Sequence, residues 1–175
     1  TYDVSLTVSN ASGSNTHTET ATIVVVPATG QYGVPYSEGF EVISFPGTEW
    51  PVENEGGNTW VQTSNASHSG FSSVYINNHT GNTSQTTDAF LTPTFNLSNV
   101  TNANLTFWLA FAARTSTSTD QLKVWASTSC GQLWSIRYNK TGTALSTAGI
   151  ITSVFVPTSA QWRQETVNIS SASYN

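Results

Sequence analysis

Hydrophobic and polar residues alternate with a period of two along most of this chain. Tyr2, Val4, Leu6 and Val8 alternate with Asp3, Ser5 and Thr7, as in a strand with one buried face. The stretch NASGS (10–14) is a turn by composition, and ETATIVVVP (19–27) is a second strand-forming run closed by proline. Together they predict a hairpin over 1–27. An isolated hairpin is marginal in water, so this one requires partners in the rest of the chain or beyond it.

Residues 28–36 carry two glycines and a proline and read as a linker. From 37 to 175, short β-rich runs alternate with clusters of Gly, Asn, Ser and Pro. The pattern predicts strands over 39–43, 58–63, 73–77, 87–92, 104–112, 120–127, 132–138, 150–156 and 162–169. No segment longer than ten residues carries a 3.6-residue apolar stripe. The expected class is all-β, a β-sandwich or jelly roll of antiparallel strands. The strongest core strand is NLTFWLAFAA (104–113), where Leu105, Phe107, Leu109 and Phe111 share one face and Trp108 takes the other. The run WRQETVNI (162–169) has the character of a central strand, yet no strand follows it. Truncation at both ends is therefore expected.

Composition sharpens this picture. Only 9% of the 175 residues are charged, against about 25% in ordinary soluble domains. The polar surface must come from Thr, Ser, Asn and Gln, as on secreted β-proteins. With five basic residues and a net charge of −5, the chain cannot build a groove that tracks phosphates, which excludes nucleic acid. The same deficit argues against anionic membrane surfaces, and no apolar run is long enough to span a bilayer. The chain opens directly on a strand, without Met or signal peptide, and is read as a piece of something longer.

Candidate chemistry is sparse. Cys130, the one cysteine, has no partner within the chain. A nucleophile would need a base at hydrogen-bond range, and His17, His68 and His79 lie in the hairpin or in polar segments. Its simplest reading is a small, partly buried residue where a strand meets a turn. Glu38, Glu41, Asp88 and Asp120 sit at strand edges. They can serve as calcium ligands, which need six to eight oxygens, or merely cap turns and face solvent. A glycosidase would need two carboxylates flanking a cleft, which spacing along a chain cannot test. In the loop ENEGGNTW (53–60), Glu53, Asn54, Glu55 and Asn58 surround two glycines, with Trp50 and Trp60 on either side. Exposed, these tryptophans would stack on sugar rings beside Asn54. Buried, they would plug the end of the sandwich. Trp108, Trp125 and Trp134 lie in strands, where burial is the default expectation. Nine N-x-[ST] sequons are present, several as a consequence of the Asn, Ser and Thr content alone.

Two resemblances bear on the whole chain. TYDVSLTVSNASGSNTHTETATIVV (1–25) resembles the closing two strands of a PKD domain, an immunoglobulin-like module, and covers about a third of one. Residues 35–175 resemble MAM-like jelly-roll modules of secreted Bacteroidetes proteins, the choice-of-anchor J or cleaved-adhesin type. The shared marks, in order, are YSEGFE, FPGTEWPVENEGGNTW, DAFLTPTFNLSN, NLTFWLAFA, DQLKVWASTSCGQLW, KTGTALSTA and WRQETVNIS. The resemblance implies a non-catalytic accessory or adhesive module with a structural calcium ion, held by Glu41, then Asp88, then Asp120. The family's usual last acidic strand is absent, so that site would be incomplete.

The expected organisation is a PKD-like hairpin (1–27), a linker (28–36) and a MAM-like jelly roll (37–175). The expected role lies in a large secreted or cell-surface bacterial protein, such as a pappalysin-type zinc metalloprotease. There the module would bind extracellular protein or glycan, or space the other domains of its parent. The alternatives are a carbohydrate-binding module of a glycan-degrading enzyme, with Trp50, Asn54 and Trp60 as ligand-binding residues, and a structural repeat of a surface stalk.

Overall fold

The computed structural model describes residues 2–23, 25, 30–42, 44–54, 57–79 and 87–170. Among them, ten strands form five antiparallel pairs, so the protein is all-β. Helical structure among the described residues is limited to a single turn, α1 (Gly142–Leu145), and a 3-10 turn at Ser159–Gln161.

β1 (Tyr2–Asn10) and β2 (Gly13–Ile23) form the hairpin expected from the alternation. Its turn is held by Ser12 N–H donating to Asn10 Oδ1 at 2.8 Å. On one face, Ser5 pairs with Thr18 (2.8 Å) and Thr7 with Thr16 (2.7 Å) through their hydroxyls, a polar cross-strand ladder. The other face carries Tyr2, Val4, Leu6 and Val8, all exposed.

The rest of the chain packs around two centres. In the first, β3 (Val52–Asn54) pairs with β6 (Asp88–Phe90), and β4 (Val61–Thr63) with β5 (Ser73–Tyr75). An aromatic cluster joins them. Phe45 meets Phe90 edge-on at 5.5 Å between centroids, Trp60 meets Phe90 at 5.2 Å, and Phe40 meets Trp50 at 5.1 Å. Edge-to-face geometry at these distances adds to the area that the rings bury.

The second centre lies between β7 (Asn104–Leu109) with its partner β10 (Arg163–Asn168), and β8 (Gln121–Ala126) with its partner β9 (Ser135–Thr141). Phe107 on β7 meets Tyr138 on β9 edge-on at 5.5 Å, and Val167 and Leu145 are buried. Both β7 and β8 alternate strictly between exposed and half-buried positions.

Two predicted strands do not form. Residues 39–42 bend instead of extending, and residue 43 lies outside the described set. Glu38 Oε1 accepts the Phe40 N–H at 2.6 Å, and Phe40 sits at φ 60°. A side chain that satisfies the backbone locally competes with a ladder. Over 150–156, Ile150 makes a single parallel bridge to Ala113, and Pro157 follows where a ladder would need an N–H. The short strand β3 lies in a stretch expected to be loop.

Candidate functional site

The six tryptophans decide where a site can lie, and three of them depart from the expectation. Trp50, beside the glycine-rich loop, is only 6% exposed and packs among Phe40 and Phe90. Trp60 is half-buried, and its indole N–H donates to the Asp88 carbonyl at 3.0 Å. The three expected to be buried in strands are instead open: Trp108 at 43%, Trp125 at 46% and Trp134 at 47%. The reason is the period of two. Leu105, Phe107 and Leu109 take the inward positions of β7, as Leu122 and Val124 do on β8, so Trp108 and Trp125 must point outward.

Around Trp108 the outward face is composed of three directly opposed pairs: Asn104 with Asn168, Thr106 with Thr166, and Trp108 with Gln164. All six residues are exposed and none is charged. The side chains of Thr106, Thr166 and Gln164 make no hydrogen bond to any described residue, whereas Asn168 Oδ1 accepts the Ser170 N–H at 3.0 Å.

His68 lies flat on the Trp108 indole, with 3.6 Å between centroids and 10° between planes, and turns its edge to Trp162. The loop between β4 and β5 delivers it. Glu41 clamps that loop: its carboxylate accepts the Phe71 N–H at 3.0 Å and the Ser72 N–H at 3.2 Å. Gly70, at φ 66°, passes so close that a Cβ there would overlap the Glu41 carboxylate. Ser73 Oγ closes the loop by donating to the Ala66 carbonyl at 2.6 Å.

The acids expected to hold a metal are dispersed. Among the described residues no three His, Cys, Asp or Glu side chains form a group that could hold a metal ion. Glu41 is the loop clamp. Asp120 Oδ1 accepts the Asn78 amide at 3.3 Å, and its carbonyl accepts the Gly142 N–H at 2.8 Å. Asp88 differs, because its Oδ1 is buried without a hydrogen-bond partner. Asn54 stands directly opposite it across the β3–β6 pair, on the same face of the sheet. An orphaned carboxylate oxygen can serve as one of the six to eight oxygens that calcium needs. Trp50, Asn54, Trp60 and Asp88 thus share the first packing centre. Asn58 donates to the Asn77 carbonyl, Glu53 is exposed on β3, and Glu55 lies outside the described residues.

Cys130 is exposed, not partly buried as expected. It and Gly131 occupy consecutive left-handed positions, at φ 53° and 83°, in a turn wired by serine hydroxyls. Ser127 Oγ accepts the Gly131 N–H at 3.0 Å, and Ser129 Oγ accepts the Leu133 N–H at 2.8 Å.

One ionised cluster was not anticipated. Glu165 is buried on the inner face of β10. Lys140 Nζ donates to its two oxygens at 3.0 and 2.9 Å, and Arg163 Nε to Oε1 at 2.7 Å. Burial opposes the charge on Glu165, but the hydrogen bonds from Lys140 and Arg163 outweigh it and hold the carboxyl below its ordinary value. Burial, reinforced by the Glu165 charge, pushes the Tyr138 hydroxyl up to about 12. Arg163 also donates to the carbonyls of Leu145 and Ser146 at 3.0 and 2.9 Å, tying α1 to β10. The signal in the sequence was the alternation of Arg163, Glu165 and Val167, which puts two charges on the inward face.

No known family's sequence profile matches the chain, and no curated protein or solved structure is similar to it.

Proposed function

We propose that this chain is a non-catalytic accessory or adhesive module of a large secreted or cell-surface protein, a jelly roll preceded by the closing hairpin of an immunoglobulin-like domain. The observation that carries this reading is the outward presentation of Trp108 and Trp125 on antiparallel strands. Rigid, exposed aromatics with low charge around them are binding groups. Two of the carboxylates serve the scaffold: Glu165 lies between two cations and Glu41 on backbone amides. Calcium, where bound, would be held by Asp88 with Asn54 opposite and would neutralise a buried carboxylate, stiffening the β3–β6 pair.

The test is binding without turnover. The chain, immobilised, should retain at least one member of a panel of extracellular matrix proteins and polysaccharides, and the retained molecule should be released with unchanged mass. Retention of nothing, or recovery of cleaved material, contradicts the reading. The calcium site has its own readout. Melting curves in calcium and in chelator should differ by several degrees and coincide for Asp88→Asn.

A further inference from the structure

We infer that the outward face of β7 and β10 is a binding site for an uncharged polysaccharide, centred on Trp108. The inference rests on the reading of the chain as a binding module and names the ligand class and the site.

Three observations converge on this face. Its six outward side chains comprise one indole, two hydroxyls and three amides, and none is ionisable. Successive outward residues on a strand are about 7 Å apart and the strands about 4.8 Å apart, so the face is a strip about 14 Å long. It is sized for a short run of sugar rings lying along the strands. The strip also holds unused donors and acceptors: Gln164, Thr106 and Thr166 make no hydrogen bond to a described residue, so their polar groups are available to ligand hydroxyls. Finally, the indole is braced. His68 covers one of its faces at 3.6 Å, yet the residue keeps 43% of its surface open to a ligand.

A sugar ring has an apolar C–H face and a rim of hydroxyls. The first stacks on indole, and the second pairs with amide and hydroxyl side chains. Other ligands fit less well. A nucleic acid would need cations, and this face has none. A protein partner, or a second copy, would need about 800 Å² per side with an apolar, aromatic core, whereas this strip holds a single aromatic residue. The outward face of β8 and β9 lacks the same chemistry. There Trp125 lies beside Lys123 and opposite Ile136, with the exposed Leu133 nearby.

His68 is a positioning residue, fixing the indole before ligand arrives. Ordering one side chain in advance is worth roughly threefold to tenfold in affinity.

The experiment is affinity electrophoresis of the full chain in gels containing β-glucan, xylan or galactomannan, and in parallel alginate or heparin. At least one neutral polysaccharide should retard it. Trp108→Ala should abolish that retardation, a loss of about tenfold or more, while Trp134→Ala leaves it intact. His68→Ala should weaken binding and His68→Phe, which keeps a flat ring, should restore it. Circular dichroism checks that each variant folds. Should Trp108→Ala misfold, Thr166→Glu, which puts a charge in the middle of the strip, carries the test and must also abolish retardation. Retardation by anionic polymers only, retardation that survives both Trp108→Ala and Thr166→Glu, or none by any neutral polysaccharide overturns the inference. If the chain still retains a matrix protein in the last case, the broader reading stands and the glycan site falls. If it retains nothing, both fall.

Discussion

Trp50 and Trp108 show how position within an element, rather than residue type, decides what a tryptophan does. Trp50 belongs to an irregular segment between Pro46 and Pro51 and is nonetheless in the core, with Phe40 and Phe90 against it. Trp108 belongs to the most regular strand and faces outward. A loop has no fixed period, so its large side chains collect wherever apolar volume needs filling. A strand has a period of two, and once Leu105, Phe107 and Leu109 are committed inward, the residue between them has one direction left. The lesson extends to Trp125, where β8 repeats the arrangement of β7: amide, then Thr or Lys, then Trp at successive outward positions.

The largest expected contrast follows from this pair. Trp50→Ala should cost about 3–5 kcal/mol, as deletions of buried aromatics do, and Trp108→Ala less than about 1 kcal/mol. Urea unfolding of the two variants against the parent chain decides it; equal losses would dissolve the comparison.

The inner face of β10 offers the next contrast. Glu165→Gln should cost roughly 2 kcal/mol, at the modest end for a buried ion cluster because Lys140 and Arg163 are each 36% exposed. The pH dependence has two limbs. Glu165 titrates below its ordinary value when folded, so its contribution is present above the unfolded pKa and fades as pH falls through the lower folded one. Tyr138 runs the opposite way. Its folded pKa is raised from 10.0 to about 12, so the folded state keeps a proton that the unfolded chain releases. Its contribution is complete below pH 10 and lost as pH rises from 10 toward 12. Urea midpoints taken across both ranges should show the acid limb flattened in Glu165→Gln and the alkaline limb flattened in Tyr138→Phe.

The smallest effect is local. Glu41→Gln keeps the size of the clamp but weakens its hold on the Phe71 and Ser72 amides, which loses about 1 kcal/mol of loop order. Global stability should change little, while His68 loosens from Trp108 and indole fluorescence brightens as a contact quencher leaves. Unchanged emission would show that Glu41 does not position His68.

Much of the fold was legible because alternation reports directly on strands. β4, β5, β6, β7, β8 and β10 lie within the segments that the pattern marked, β1 and β2 form the expected hairpin although β2 starts well before its marked run, and the antiparallel all-β class followed. The segment 39–43 failed because the Glu38 carboxylate captures the Phe40 amide, a local bond invisible to a period count. The candidate site was less legible. The alternation showed that Trp108 faces away from Leu105 and Phe107, but not that its side of the sheet stays uncovered. That depends on which strands stack, a long-range outcome. Nor could spacing bring His68 to Trp108 across 40 positions, since the loop that does so hangs on Glu41 and on the tight passage at Gly70. The cluster of Arg163, Glu165 and Lys140 joins two strands that do not pair with each other, so the alternation marks the two charges on β10 but only tertiary structure brings Lys140 to them.

The outward placement of Trp108, Trp125 and Trp134 against the buried Trp50 is the claim on which the rest depends, and hydroxyl-radical footprinting read by mass spectrometry tests it residue by residue. Trp108, Trp125 and Trp134 should oxidise rapidly in the native protein while Trp50 stays protected until the chain is unfolded in urea. Native oxidation of Trp50 as fast as that of Trp108, or protection of Trp108, Trp125 and Trp134 alike, would contradict the account.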